Sequence, residues 1–192
     1  MTTDNRTSPW IQTYTGRKFY PLESREEDID IADIAHALSL ICRFAGHIRV
    51  FYSVAEHSVL VARITDIMSS TDDETKKLWL RAALLHDAHE AYTNDITTPL
   101  KIGFPKLAET QNVIQGLIVK KFNLSGADSQ LIKRADATAL ALEARTLFKG
   151  KLIDGWELEE VPPKIKPLAI LGGNLSTEDR FKSMFVQYGG TL

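Results

Sequence analysis

The stretch Ala83-Leu-Leu-His-Asp-Ala-His-Glu-Ala-Tyr-Thr-Asn-Asp95 places two histidines and three carboxylates directly after a run of apolar, helix-forming residues. Burying a carboxylate that has no partner costs much free energy, so several of them close together call for a cation. His86 and Glu90 are four residues apart and share a face of a continuous helix, with Asp87 beside it. We therefore interpret the stretch as part of a metal site, although the pair His86-Asp87 by itself is a weak motif.

The composition excludes several classes of protein. With 44% hydrophobic and 25% charged residues among 192, the chain has the composition of one soluble globular domain. No apolar run reaches the ~18 residues of a membrane span and the N-terminus lacks a secretory signal, so we expect a cytoplasmic protein that does not bind membranes. The net charge of −2 provides no general attraction to a nucleic acid polymer. A single cysteine, Cys42, excludes a disulfide within the chain and a thiolate metal cluster.

After residue 30 the apolar residues recur mostly at helical spacing, which predicts an all-α, single-domain protein. We expect an N-terminal arm over residues 1–30, a helical core over 31–150, and a C-terminal crossing and helix over 151–192. Gly16, between aromatic residues, allows the arm to form a short hairpin, and Val161-Pro-Pro and Pro167 predict an irregular crossing. The predicted helices cover residues 31–45, 54–69, 73–92, 105–122, 127–148 and 176–188.

Two further candidate ligands lie on other predicted helices. His57 follows the capping-box pattern Ser53-Val-Ala-Glu56, so it occupies the first turn of a helix, on an inward face. Considered alone, His57 is equally compatible with a core histidine. Asp136 lies in the middle of a helix among small apolar residues, where aspartate is unfavourable. Its alternative role is a salt bridge to Lys133 or Arg134.

Together, His57, His86, Asp87 and Asp136 provide two imidazoles and two carboxylates. This mixed set suits Mn²⁺, Co²⁺, Fe²⁺, Ni²⁺ or Zn²⁺, and it lacks the thiolates of a closed structural zinc site. The carboxylates neutralise a divalent charge, and four ligands leave room for water and a substrate oxygen. Such a centre supports hydrolysis, because the metal acidifies water and polarises a phosphoryl group.

These residues resemble the H…HD…D signature of the HD-domain metal-dependent phosphohydrolases, in the right order and at intervals of 29 and 49 residues. Within that superfamily the chain is similar to YfbR-like 5′-deoxynucleotidases and to phage dATP triphosphohydrolases of the DatZ type. The resemblance covers roughly residues 31–150 and implies a helical bundle with the metal at its centre. The phrases that carry it are Leu40-Ile-Cys-Arg-Phe44, Ser53-Val-Ala-Glu-His57, Leu85-His-Asp-Ala-His-Glu90 and Asp95-Ile-Thr-Thr-Pro-Leu-Lys101.

The resemblance also implies roles beyond the four ligands. Glu90 matches a glutamate that assists water activation or proton transfer, and Asp95 matches an aspartate that orients the nucleophile or protonates the leaving oxygen. Arg43 matches an arginine that binds phosphate, for which its bidentate fork is suited. His89 departs from the pattern, since relatives often carry a small residue there.

His36 and Lys101 are further candidates for binding phosphate. His36 precedes Arg43 by seven residues, so both would lie on one face of a helix that extended to residue 45. The alternatives are that His36 belongs to the core and that Lys101 is an ordinary surface cation. The aromatic residues able to stack on a base are Trp10, Tyr14, Phe19 and Phe44.

We expect a metal-dependent enzyme that cleaves the 5′ phosphate ester of a small-molecule deoxynucleotide. It would act as a dNTP triphosphohydrolase, such as a dATPase, or as a dNMP 5′-nucleotidase. The cofactor would be Co²⁺, Mn²⁺, Zn²⁺ or Fe²⁺, with Mg²⁺ a further candidate for a triphosphate, and the resemblance implies a homo-oligomer. The alternatives are an HD phosphohydrolase of cyclic or signalling nucleotides and a non-catalytic nucleotide-binding HD protein.

Overall fold

The computed structural model describes residues 5–150, 155–166 and 177–192, and helices dominate these ranges. The predicted all-α class is confirmed. None of the described helices is long and apolar enough to span a membrane. The helices are α1 (Ile31–Leu40), α2 (Val54–Met68), α3 (Asp73–Leu84), α4 (Glu90–Thr93), α5 (Thr98–Gly103), α6 (Pro105–Lys121), α7 (Ser129–Leu147) and α8 (Thr177–Gln187).

The N-terminal arm forms the hairpin that the sequence predicts. Strands β1 (Ile11–Gln12) and β2 (Lys18–Phe19) pair antiparallel, and Gly16 adopts a φ of 83° in the turn between them. Asp33 of α1 holds this turn, because its carboxylate accepts hydrogen bonds from the amide and the hydroxyl of Thr15 at 2.6 and 3.0 Å. The arm is thereby fixed against the helical core.

Helix α2 lies at the centre of the fold and packs against α1, α3, α7 and α8. Residues 54–62 are all buried, as expected for a helix surrounded on every side by other helices. The predicted capping box is present: the Ser53 hydroxyl accepts from the Glu56 amide at 3.1 Å, and the Glu56 carboxylate accepts from the Ser53 amide at 2.8 Å. This cap fixes where α2 begins and therefore which turn carries His57.

The prediction of one continuous helix over residues 73–92 is wrong. Helix α3 ends at Leu84, residues 85–89 form a turn, and α4 begins at Glu90. The cause is local: the His86 side chain donates a hydrogen bond from Nδ1 to the Ala83 carbonyl at 2.8 Å. In a continuing helix this carbonyl would instead accept from the Asp87 amide. The Glu90 amide then bonds to the Asp87 carbonyl, three residues back, at 3.0 Å.

The predicted helix 31–45 is also shorter than expected and ends at Leu40. The following residues pair with the chain that precedes α2: the Arg43 amide donates to the Tyr52 carbonyl at 2.9 Å, and the Val54 amide to the Ile41 carbonyl at 3.0 Å. Phe44 and Ala45 then take φ values of 56° and 50°. The left-handed region costs an L-residue about 1–2 kcal/mol, so a strained turn positions Arg43 and Phe44.

The helices predicted over residues 54–69, 105–122 and 127–148 correspond to α2, α6 and α7, and their ends differ by at most two residues. Helix α5 was not predicted; its six residues are too short for a periodic pattern to stand out. The predicted start of the last helix at Ser176 and the predicted break at Pro167 lie outside the described residues.

Candidate metal centre

Three predicted ligands from separate parts of the chain converge on one point. The Nε2 atoms of His57, on α2, and His86, after α3, are 3.3 Å apart. Oδ1 of Asp136, on α7, lies 3.1 Å from the first and 3.8 Å from the second. The three ligand atoms all lie within 4.8 Å of one another, so they could hold a metal ion.

Asp87 is the fourth member of this cluster. Its Oδ2 atom lies 3.1 Å from His86 Nε2 and 3.6 Å from His57 Nε2. In a regular helix adjacent side chains diverge by about 100°. The turn at residues 85–89 instead directs His86 and Asp87 to the same place. The structure thus brings together all four residues predicted as ligands, and their binding of a metal stays a prediction.

The ring nitrogens show why a cation fits this cluster. His86 Nδ1 faces the Ala83 carbonyl at 2.8 Å and His57 Nδ1 faces Glu143 Oε1 at 2.7 Å, and both partners can only accept. Each Nδ1 therefore carries the hydrogen, and in the neutral rings both Nε2 lone pairs point at each other. Two lone pairs and two carboxylate oxygens repel one another unless positive charge lies between them. A divalent metal supplies that charge, and fixing of the distal ring nitrogen is typical of metal-bound histidines.

The pKa shifts in the cluster follow the same electrostatics. Burial lowers the pKa of His57 and of His86, as does Arg43 for His57, but the surrounding carboxylates outweigh this and the pKa of each ring is raised. Burial favours the protonated forms of Asp87 and Asp136, yet the two rings hold the pKa of each below its usual value. The cluster as a whole favours a bound positive charge.

Sequence reasoning missed Glu143, which is completely buried. Its Oε1 accepts from His57 Nδ1 at 2.7 Å, and its Oε2 lies 3.2 Å from the Arg43 guanidinium. Despite burial, the Arg43 and His57 charges lower the pKa of Glu143. The available signal was spacing: Glu143 follows Asp136 by seven residues and so lies on the same face of α7.

Arg43, predicted to bind phosphate, lies beside the cluster and is 8% exposed. One terminal nitrogen is 3.2 Å from Glu143, the other is 4.0 Å from Asp87, and Nε has no hydrogen-bond partner among the described residues. Burial alone would lower its pKa, but the surrounding carboxylates, Glu143 foremost, raise it. The guanidinium is therefore permanently charged and directed at the cluster.

Glu90, predicted to transfer protons, is 2% exposed. Its Oε1 lies 3.6 Å from Lys101 Nζ, while its Oε2 has no hydrogen-bond partner among the described residues. Burial, with repulsion from Asp87 and Asp95, raises its pKa to about 8, against the opposing charges of Lys101 and Arg43. A carboxyl group with this pKa exchanges protons near neutral pH, as a general acid or base requires.

A cavity of about 690 Å³ opens onto the cluster and contains most of the predicted site residues. Arg43, Asp87, Glu90, Asp95, Lys101 and Asp136 all line it. Three aromatic rings also line it: the Phe148 ring centroid lies 5.0 Å from that of Phe44 and 5.5 Å from that of Trp156. Of these three rings, only Phe44 was predicted as a stacking surface. Charged groups and flat apolar groups thus share one cavity.

Two other histidines lie elsewhere. His36 does not line this cavity; its Nδ1 is 3.0 Å from Glu178 Oε2 and its ring stacks on Tyr14 at 3.7 Å. The expected common face with Arg43 is absent because α1 ends at Leu40. His89 faces Gln115 of α6, with Nδ1 3.3 Å from the amide oxygen, and burial lowers its pKa.

Comparison with known proteins supports the resemblance to HD domains. The HD domain family matches residues 54–146, a range that contains all four cluster residues. The uncharacterized protein YfdR of Escherichia coli (strain K12) is 40% identical over 138 residues, which cover 72% of each chain. The uncharacterized protein RCAP_rcc00048 of Rhodobacter capsulatus is 34% identical over 169 residues, 85% of this chain and 84% of that protein. Similarity to the deoxynucleotidase branch stays a prediction.

Replacing Glu143 with glutamine should weaken metal binding about tenfold or more, because the loss of the carboxylate makes His57 a poorer ligand. Calorimetric titration with Mn²⁺ measures this. Glu178→Gln is the matched control, since Glu178 also bonds a histidine Nδ1 but lies outside the cavity. Equal Mn²⁺ affinity in Glu143→Gln and wild type would contradict the arrangement.

Glu90 should destabilise the metal-free protein as the pH rises. Its pKa increases from 4.5 in the unfolded chain to about 8 in the fold. Between these values the folded state holds a proton that the unfolded state has released, so stability falls with pH. Glu90→Gln has no such loss. Urea unfolding with a chelator present measures the free energy of unfolding of each protein. The value for Glu90→Gln minus that for wild type should increase by about 3 kcal/mol from pH 5 to pH 8. A pH-independent difference would show that Glu90 is ionised in the fold.

Proposed function

Because the chain belongs to the HD-domain family, we propose that it is a metal-dependent phosphohydrolase that cleaves the 5′ phosphate ester of deoxynucleotides. Proteins of this family are generally hydrolases with a metal site. One observation carries the proposal: a single cavity is lined by Asp87 and Asp136 of the cluster, by the two cations Arg43 and Lys101, and by three aromatic rings. Metal, phosphate and base each have chemically matched surroundings there.

The metal would be held by His57 Nε2, His86 Nε2 and one carboxylate oxygen each from Asp87 and Asp136. When bound, a divalent metal acidifies water and polarises the phosphoryl group. Glu143 keeps the proton of His57 on Nδ1, and the Ala83 carbonyl does the same for His86. In each neutral ring, Nε2 is therefore the nitrogen that is free to bind the metal.

Phosphate binding would depend on Arg43 and Lys101. One terminal nitrogen of Arg43 lies 3.2 Å from Glu143 and the other faces the cluster, while Nε has no hydrogen-bond partner among the described residues. A guanidinium held in this way can contact two phosphate oxygens at once. Lys101 is partly exposed at 29% and adds a second positive charge on the Glu90 side of the cavity.

Glu90 is our candidate for proton transfer. Its Oε2, which has no hydrogen-bond partner among the residues that the structure describes, would take a proton from the attacking water and return one to the 5′ oxygen of the departing nucleoside. A pKa of about 8 suits both steps near neutral pH. Asp95, at the same cavity wall, accepts a hydrogen bond and orients the water.

The aromatic part of the cavity wall would receive the base. The ring centroids of Phe44, Phe148 and Trp156 form a triangle with sides of 5.0, 5.5 and 6.5 Å. Such rings provide stacking surfaces for any base. The cavity volume of about 690 Å³ is within the range of small-molecule sites.

The function is tested by product release from a panel of dNMPs, dNTPs, ribonucleotides and cyclic nucleotides with Mn²⁺ or Co²⁺. We expect phosphate from a dNMP or triphosphate from a dNTP. Hydrolysis confined to cyclic nucleotides would replace the proposal with the signalling alternative, and binding without any hydrolysis would indicate a regulatory protein.

Two variants serve as controls for that assay. Glu90→Gln should retain metal and nucleotide binding but lower kcat about 100-fold or more. His86→Ala should lose activity and metal binding together. Wild-type turnover by Glu90→Gln would show that Glu90 has no part in the mechanism. Metal-dependent turnover by His86→Ala would show that the cluster is not the metal site.

A further inference from the structure

A second cavity, of about 520 Å³, reaches the same cluster from another side. It is enclosed by the ends of α3 and α6, the segment 124–127 and the first half of α7. His86 and Asp136 line it, and Asp136 also lines the first cavity. The candidate metal centre is thus accessible from two cavities.

The two cavities leave the cluster in opposite directions along α7. Ser129, Ile132 and Asp136 follow one face of the helix and line the second cavity, whereas Asp136 and Leu140 line the first. At about 1.5 Å per residue, Ser129 lies roughly 10 Å before Asp136 and Leu140 roughly 6 Å beyond it along the axis. A ligand centred on the cluster could therefore extend both ways.

The chemistry of the second cavity differs from that of the first. Its walls are largely apolar, with Val119 of α6 opposite Ile132 of α7, and Ser129 adds a hydroxyl. Among the described residues that line it, Asp136 is the only acid and Lys133, an exposed residue, the only lysine or arginine. A chain of further phosphates would find a single exposed lysine among these described residues, whereas an uncharged group would find largely apolar walls.

We propose that the second cavity binds the alcohol group of a phosphodiester whose other ester group is the nucleoside in the first cavity. The phosphate common to both then lies at the cluster. This inference rests on the proposed function and extends it from monoesters to nucleoside 5′-phosphodiesters.

The reaction is a hydrolysis that needs no further reactant. The oxygen of water forms a bond to phosphorus, and the bond between phosphorus and the alcohol oxygen breaks. One proton of the water ends on that oxygen and the other on the product phosphate or solvent. The products are the free alcohol and the nucleoside 5′-monophosphate.

The test compares the p-nitrophenyl esters of the four dNMPs with the dNMPs themselves, with Mn²⁺ present. Ser129→Trp and Val119→Trp fill the second cavity from its two walls. Each should lower the ratio of kcat/KM for ester to kcat/KM for dNMP about tenfold or more. Gln130→Trp, an exposed neighbour on α7 outside the cavity, should leave the ratio unchanged. Hydrolysis of dNMPs without ester hydrolysis, or an unchanged ratio in both cavity variants, would overturn the proposal.

Calorimetry on metal-free protein separates the subsite from catalysis, because nothing is cleaved without metal. The wild type should bind the ester more tightly than the dNMP, and both cavity variants should lose this preference. A preference without turnover of either compound, or of any dNTP, would support the subsite and contradict the proposed function. No preference in the wild type would contradict the subsite, whatever the turnover.

Discussion

The Nε2 atoms of His57 and His86 face each other at 3.3 Å, and the rest of the site is arranged around this contact. Each ring is held from behind: His57 by the Glu143 carboxylate and His86 by the Ala83 carbonyl. These acceptors prevent either ring from turning its Nδ1 hydrogen toward the other. The lone pairs of the neutral rings converge with two carboxylates. The folded chain therefore concentrates negative charge at one point, which favours the binding of a divalent cation.

Meeting this constraint requires a buried charge network at the centre of the bundle. Glu143 and Arg43 are both buried, and neither would be tolerable there without the other. The apolar surroundings of α2 offset the cost, and burial strengthens the interactions among His57, Glu143 and Arg43. The same low-dielectric environment raises the pKa of Glu90 into the range useful for proton transfer. Stability and reactivity therefore have a common origin in burial.

The sequence predicted the parts of this arrangement that depend on local rules. The capping box determined the start of α2, and apolar spacing gave the extent of α6 and α7 to within two residues. The sequence failed where a side chain competes with the backbone. The break after α3 depends on His86 Nδ1, a donor that no periodicity reveals. Likewise, α1 ends early because its next residues pair with the chain before α2.

Long-range contacts account for the rest of what was missed. His36 is paired with Glu178, 142 residues away, and no spacing argument could separate that contact from a role in phosphate binding. Phe148 and Trp156 line the cavity beside Phe44, which lies far earlier in the chain, and no local spacing predicts that contact. Glu143 could have been predicted, because its position seven residues after Asp136 places it on the same face of α7 as the cluster.

The central claim is that these four side chains form one divalent metal centre, and anomalous X-ray diffraction from crystals grown with Zn²⁺ tests it most directly. The account predicts a zinc peak about 2.0–2.2 Å from His57 Nε2, His86 Nε2 and one oxygen each of Asp87 and Asp136. Zinc bound elsewhere, or a cluster left without a zinc peak, would contradict it.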